Sequence, residues 1–260
     1  MPKRDNIAAV ILDRASETIL FTTNDMLVNQ LQRDGPRVAR SFDRLANDHI
    51  TACSGVFGRV CGMLLNQLQL PPDNSFKATT ARLLSNACNS YVASIKVARH
   101  GFPRQYGAIA RMVIETVATV IVIAVKQGAL EQFHAGKLES SKCVAWAKNV
   151  LPMLGPLWGS LSTDFVHIGR RHALVELPSP YTEGHEAIGF LATSIRGNAL
   201  LLYIIADLIF SDERARHLFW QRAGQEARFD PSPDVGAWME EFLCHAKPIK
   251  GEADATVDSG

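Results

Sequence analysis

The sequence has little net charge, because 27 Lys and Arg residues face 26 Asp and Glu residues, which gives a formal net charge of +1. Proteins that bind nucleic acid or anionic membranes mainly by electrostatics carry a much larger basic excess. The composition therefore argues against both classes, although a local basic patch is compatible with it.

Motifs that mark common catalytic and redox proteins are absent. Neither the Gly-rich phosphate-binding patterns nor the Gly-x-Ser-x-Gly nucleophile motif occurs, so nucleotide-binding and serine-hydrolase functions have no support. The five cysteines have no Cys-x-x-Cys spacing, and three lie in apolar helical runs, where a thiol behaves as a small hydrophobe. We expect reduced core cysteines in a cytoplasmic protein.

Long apolar runs and strand-like alternation are also missing. The longest apolar runs, 112–125 and 199–210, are shorter than a membrane span of about 20 residues and contain Glu115 and Asp207. The N-terminal apolar run is short and is broken by Asp13, which is not typical of a signal peptide. The sequence thus predicts core helices, no membrane span and no sheet.

Residues 75–127 predict two long antiparallel helices joined by a tight corner. The first helix carries an apolar stripe at steps of three and four residues, formed by Ala81, Leu84, Cys88, Tyr91, Ile95 and Ala98. Gly101 is a typical helix stop, and Pro103 suits the first turn of the next helix. This hairpin is the predicted centre of a helical bundle.

The second helix, from Tyr106 to Val125, is apolar nearly all round, which predicts that it is buried on most sides. Its polar residues lie on one narrow seam: Arg104, Arg111, Glu115, Thr119 and Lys126. Arg111 and Glu115 are four residues apart and can pair. An uncompensated buried charge costs roughly 3–5 kcal/mol, so we expect each of these two charges to have an oppositely charged or hydrogen-bonding partner.

The remaining chain also reads as helical. A first helix is predicted from Asp5 to Asp34, followed by a break at Gly35-Pro36 and a long helix to Leu70. In that helix Gly58 and Gly62 hint at close backbone approach. Further predicted segments are short helices in 129–151 and 157–169, a covering loop at 170–184, helices at 186–210, 211–224 and 235–246, and a disordered tail at 247–260.

Arg111, Glu115 and His167 are the candidate catalytic residues. The predicted short helix could lay His167 against the polar seam, where histidine suits proton transfer near neutral pH and Arg111 could hold a phosphate or carboxylate. The alternative is a hydrogen-bonded Arg–Glu–His network that only sets helix register. The sequence leaves both readings open.

The helix YGAIARMVIETVATV followed by LSTDFVHIG resembles a broad group of uncharacterised bacterial all-helical proteins. Members share an Arg-x-x-x-Glu helix and a later Leu-Ser-x-x-x-x-His turn, and the similarity covers roughly residues 91–172. In architecture these proteins are similar to HEPN-type domains, many of which are RNases in toxin or phage-defence systems. The resemblance implies a metal-independent RNase as one function.

Two other arrangements bear on catalysis. HEPN nucleases use an Arg, a polar residue, about three residues and a His; Arg44 and His49 approach this spacing, but Leu45 replaces the polar residue. His49 also lies on an apolar stripe, which favours a core histidine. A di-metal bundle needs two Glu-x-x-His pairs. Only residues 131–134 and, with Asp in place of Glu, 164–167 have that spacing.

The sequence therefore predicts an all-α fold, a single helical bundle over residues 1–246 built around the central hairpin. The leading function is a cytoplasmic regulatory or interaction domain, with a link to bacterial stress or phage defence implied by resemblance. A HEPN-like RNase and a di-metal bundle are the alternatives. We expect no cofactor, no bound metal and no membrane, a homo-oligomer, and RNA or another protein as a partner.

Overall fold

The computed structural model describes residues 6–14, 17–68, 75–162, 178–184, 186–211, 217–223 and 226–244. These residues are mainly helical, which confirms the all-α prediction. Four long helices form the bundle: α2 (Gly35–Leu68), α3 (Phe76–Arg99), α4 (Pro103–Val125) and α8 (Glu186–Phe210). The short helices are α1 (Met26–Asn29), α5 (Ala129–His134), α6 (Ser140–Ala147), α7 (Leu154–Leu161) and α9 (Pro233–Cys244). The strands are β1 (Ile7–Asp13), β2 (Thr18–Thr23), β3 (Trp220–Ala223) and β4 (Glu226–Phe229).

The central hairpin, α3 and α4, forms as predicted. Ser75 caps α3, its Oγ accepting a hydrogen bond from the Ala78 N–H at 3.3 Å. The corner needs glycine at 101, because its φ is +87° and a Cβ there would lie 3.0 Å from Val38 and 3.1 Å from Pro178. Pro103 begins α4, where its missing N–H would have no helical partner.

Helix α8 completes the core by packing against α2, α3 and α4. Its residues from Ala199 to Ala206 are buried nearly completely, as is the apolar body of α4. A buried hydrogen bond joins the two helices, with the Tyr106 hydroxyl donating to Ser194 Oγ at 2.8 Å. Helices α5, α6 and α7 pack on α4, and α9 packs on α8, so the two most apolar helices lie at the centre.

Both central helices are long and apolar enough to cross a membrane by length and composition alone. In the described chain, 56% of the apolar window of α4 and 78% of that of α8 is buried inside the fold. Core helices of soluble proteins have the same character, so the absence of a membrane span stays a prediction. In α2, Gly58 and Gly62 have no neighbouring atom within 4 Å of a built Cβ, so the expected close approach there is wrong.

The prediction of a helix from Asp5 to Asp34 is wrong in its first part and right for residues 26–34, which are helical. Strand β1 pairs antiparallel with β2, and Val10 lies opposite Phe21 and Leu12 opposite Ile19. The physical reason is the abundance of β-branched and aromatic residues, which fit an extended strand better than a helix. We refer to residues 7–34 as the N-terminal arm.

The predicted break at Gly35-Pro36 is also wrong, because the helix runs through it. Residues Gln30–Asp34 form a π-helical turn that joins α1 to α2, and Gly35 has helical angles of φ −55° and ψ −48°. Proline lacks an N–H, and the wider turn before it accommodates the lost helical hydrogen bond. A Cβ at Gly35 would lie 2.8 Å from the Gln30 carbonyl oxygen, so only glycine fits.

The predicted helix over 211–224 is wrong where the structure describes it. Residues 220–223 form strand β3, which pairs with β4. Asp207, almost fully buried on α8, accepts hydrogen bonds from the Leu218 and Phe219 N–H groups at 3.0 and 3.1 Å and from the Ser211 hydroxyl at 2.6 Å. The Trp220 indole N–H donates to the Ile204 carbonyl at 2.8 Å. These contacts hold the second hairpin against the core.

The described end of the covering loop, 178–184, lies over α2 and α3. The Tyr181 hydroxyl donates to the Ala98 carbonyl at 2.6 Å, and the Tyr181 N–H donates to Ser41 Oγ at 2.8 Å. The rest of the predicted covering loop and the predicted tail, 247–260, lie outside the described residues.

Candidate functional site

The predicted pair Arg111–Glu115 forms on α4, where this helix meets α7. Both Nε and Nη2 of Arg111 lie 2.8 Å from Glu115 Oε1. The two side chains are 20% and 23% exposed, so the pair is partly screened from water. The guanidinium carbon also lies 5.2 Å from the centroid of the Trp158 ring, which places Arg111 between a carboxylate and an aromatic face.

The seam continues from this pair toward the end of α4. The Thr119 hydroxyl donates to the Glu115 carbonyl at 2.8 Å and is buried. Cys143 of α6 covers this part of the seam; burial raises the pKa of its thiol, while a hydrogen bond with Thr119 and the charge of Lys126 oppose the rise. The middle of the seam at Thr119 is therefore structural, whereas Arg111 and Glu115 are partly exposed and Lys126 is exposed.

Helix α7 and the residue after it carry two further polar groups. Among the described residues, Trp158 Nε1 and Ser162 Oγ are buried without a hydrogen-bond partner. A buried donor without a partner loses its hydrogen bonds to water without compensation. Trp158, whose ring packs on Arg111, places one such group at the α4–α7 junction.

His167, the third candidate residue, lies outside the described residues, as does Asp164. The described chain stops at Ser162 on this side of the junction, five residues before His167. The expected meeting of His167 with Arg111 and Glu115 therefore stays a prediction.

A buried arginine that the sequence reasoning missed holds the histidine of the HEPN-like spacing. Arg196 on α8 donates from Nε to His49 Nδ1 at 3.0 Å and from Nη1 to the Phe242 carbonyl at 2.7 Å. Its guanidinium also lies 5.1 Å from the centroid of the Phe242 ring. Arg44 is exposed on the outside of α2. His49 thus has the structural role that its position on an apolar stripe indicated. The sequence signal for Arg196 was an arginine within the otherwise apolar stretch of α8.

The di-metal pattern receives no support from the described residues, in which no group of three His, Cys, Asp or Glu side chains could hold a metal ion. His134 of the first pair lies on α5 with its Nε2 3.3 Å from Thr79 Oγ1. The second pair, 164–167, lies outside the described residues.

All five cysteines are free thiols, in agreement with the reduced state expected. Three are buried: Cys53, Cys88 and Cys143. Burial raises the pKa of each of these thiols, that of Cys88 to about 12, so they remain protonated and unreactive near neutral pH. They act as core side chains and not as nucleophiles.

The N-terminal arm presents an unusual surface. Nine of its large apolar residues are between 51% and 68% exposed: Val10, Ile11, Leu12, Ile19, Phe21, Met26, Leu27, Val28 and Leu31. Beside it a cavity of about 600 Å³ opens between the arm and the α3–α4 corner. Its walls are largely apolar and include Met26, Leu31, Val38 and Phe102.

Comparisons with family models, with curated proteins and with solved structures gave no significant match. The resemblance to bacterial all-helical proteins of HEPN-like architecture therefore stays a prediction, and function is argued from the geometry alone.

Proposed function

We propose that this chain is a regulatory or interaction domain that acts by binding another protein chain through its N-terminal arm. The observation that carries this proposal is the exposed apolar surface of residues 10–31. Scattered single apolar residues are normal on protein surfaces, whereas neighbouring exposed apolar residues, such as Val10, Leu12, Ile19 and Phe21 on one face of the hairpin, typically mark an interaction site. A link to bacterial stress or phage defence rests on the sequence resemblance only.

The state of the titratable residues supports the same conclusion. Arg196 and Asp207, the most deeply buried charged residues described, are occupied by structural hydrogen bonds. The buried thiols are held protonated. These buried charged residues and thiols therefore serve folding, whereas the exposed apolar residues of the arm pack on no other part of the described chain to a large extent.

The test compares proteins that co-purify with the tagged full chain and with two variants. Phe21→Lys places a charge in the arm, whereas Gln221→Lys places the same charge at an exposed position of the second hairpin. Loss of an associated chain, including an untagged copy of this one, from Phe21→Lys alone supports the proposal. An unchanged set of associated chains in both variants contradicts it.

A HEPN-like RNase is the second candidate, because Arg111 lies at the α4–α7 junction with its side chain 20% exposed. A guanidinium within reach of solvent can hold a phosphate group. The test incubates the purified chain with total RNA, with and without chelator, beside Arg111→Ala, His167→Ala and, as an exposed control, Lys142→Ala. Cleavage that survives the chelator and is lost in the first two variants only supports the nuclease. Intact RNA with the unaltered chain rules it out.

A further inference from the structure

The hairpin of the N-terminal arm is incomplete as a sheet. It has two strands, and in the described part of the chain neither outer edge pairs with another strand. No helix of the described chain packs extensively on β1 or β2. Isolated two-stranded hairpins are marginally stable in water and need further strands or a packing partner. The arm therefore lacks the covering layer that its stability requires.

One face of this hairpin is entirely apolar over its central residues. The register places Val10 beside Phe21 and Leu12 beside Ile19. Because alternate residues share a face, these four side chains lie together, and each is between 52% and 64% exposed. Ile11, on the opposite face, is exposed as well.

The strands also lack the usual protection against association. Residues 7–12 and 18–23 contain no charged residue and no proline, and the charges of this segment stand at 13, 14 and 17, around the turn. Exposed edge strands commonly carry charges or proline to prevent pairing. The second hairpin is the contrast within the same chain: it carries Arg222, Glu226 and Arg228 and buries Trp220.

The size of this apolar face indicates a weak interface. Its four residues, each a little over half exposed, present roughly 400 Å², at about 100 Å² each. This is within the range of about 300–600 Å² for the largest apolar patch on a typical monomer, and such patches are often functional. Two such faces would bury roughly 800 Å² in total, which is the area of a weak, concentration-dependent association.

We infer that the partner of the arm is a second copy of this chain, with the Val10, Leu12, Ile19 and Phe21 faces of two arms packed against each other. This inference rests on the proposed function and names its partner. An uncharged apolar face offers nothing to recognise an acidic or basic partner, but it is complementary to itself. A two-fold axis makes both copies use the same patch and closes the assembly at two.

The test is the mass of the purified full chain in solution, measured by sedimentation velocity across a wide concentration range. We expect a dimer for the unaltered chain and for Gln221→Lys. Phe21→Lys and Ile19→Lys are expected to raise the dimer Kd at least about 100-fold, since each dimer contains two altered side chains. Far-UV circular dichroism checks that all variants keep the helical bundle.

Several results would overturn the inference. A dimer that neither arm variant weakens places the interface elsewhere. A monomer at all concentrations excludes self-association, and arm-dependent flotation with uncharged phosphatidylcholine vesicles would then assign the arm to a lipid surface. A monomer that still loses a different protein partner in Phe21→Lys leaves the proposed function standing without this inference.

Discussion

Asp207 offers a quantitative test of how the second hairpin is attached to the core. Its carboxyl group, almost fully buried, accepts two backbone N–H groups at Oδ2 and the Ser211 hydroxyl at Oδ1. Two substitutions separate the loss of negative charge from the loss of the acceptors. Asp207→Asn keeps an oxygen that can accept both N–H groups, whereas Asp207→Leu removes every acceptor.

The geometry sets the expected magnitudes. In Asp207→Asn the amide can still donate to Ser211, so the cost is the difference between charged and neutral acceptors, about 1–2 kcal/mol. In Asp207→Leu the buried Phe219 N–H and the partly buried Leu218 N–H and Ser211 hydroxyl lose their partner, at about 1–3 kcal/mol for a buried donor and less for the other two, which predicts about 3–5 kcal/mol in total. For a chain of this size each kcal/mol corresponds to roughly 2–4 °C in Tm.

The assay is urea unfolding followed by tryptophan fluorescence and by far-UV circular dichroism. Fluorescence reports on all four tryptophans, among them Trp220 of the hairpin, while circular dichroism reports on the helices. Asp230→Leu, at an exposed position near the same hairpin, is the control and is expected to change stability by less than about 0.5 kcal/mol. If Asp207→Asn and Asp207→Leu lower the free energy of unfolding equally, or if Asp207→Leu is as stable as the control, the Asp207 hydrogen bonds do not hold the hairpin to the core.

Three further predictions concern other parts of the chain. Gly35→Ala should destabilise by about 1–3 kcal/mol through the contact with the π-helical turn, whereas Gly58→Ala, in open space on the same helix, should stabilise by about 0.5–1 kcal/mol in thermal unfolding. Arg111→Ala should cost about 1–2 kcal/mol, against less than about 0.5 kcal/mol for the exposed Lys142→Ala, in urea unfolding; equal losses would contradict a structural pair. Because burial raises the pKa of Cys88 from 9.0 to about 12, the folded state resists ionisation. The protonated Cys88 thiol therefore stabilises the folded state below pH 9, and this contribution is lost as pH rises toward 12. The free energy of unfolding should fall over this pH range, and it should fall less in Cys88→Ala.

The Arg111–Glu115 pair and its surroundings divide clearly into local and non-local features. The pair follows from a spacing of four residues on a helix, which the sequence shows directly. The Trp158 face that covers Arg111 comes from α7, and its position depends on how the chain returns after α6. The buried Arg196 pairs with His49 across 147 residues, a partnership that no local pattern encodes.

The N-terminal arm shows why a helical reading failed there. Its apolar residues follow one another so closely that their periodicity fits a strand as well as a helix. The abundance of β-branched residues was the signal that favoured a strand. Strand formation depends on a partner strand and on a turn that aligns it. The same limit applies to β3 and β4, which are held by Asp207 and Trp220 through contacts to α8.

The sequence by itself determined the long helices, their core faces and the corner at Gly101 and Pro103, because periodicity, capping and backbone restrictions act within a few residues. Tertiary structure alone decided the two hairpins, the helix that continues through Pro36, the hydrogen-bond partners of Arg196 and Asp207, and the exposure of the arm. Those features depend on which distant groups satisfy each hydrogen bond and cover each apolar face, and only the folded chain brings these groups together.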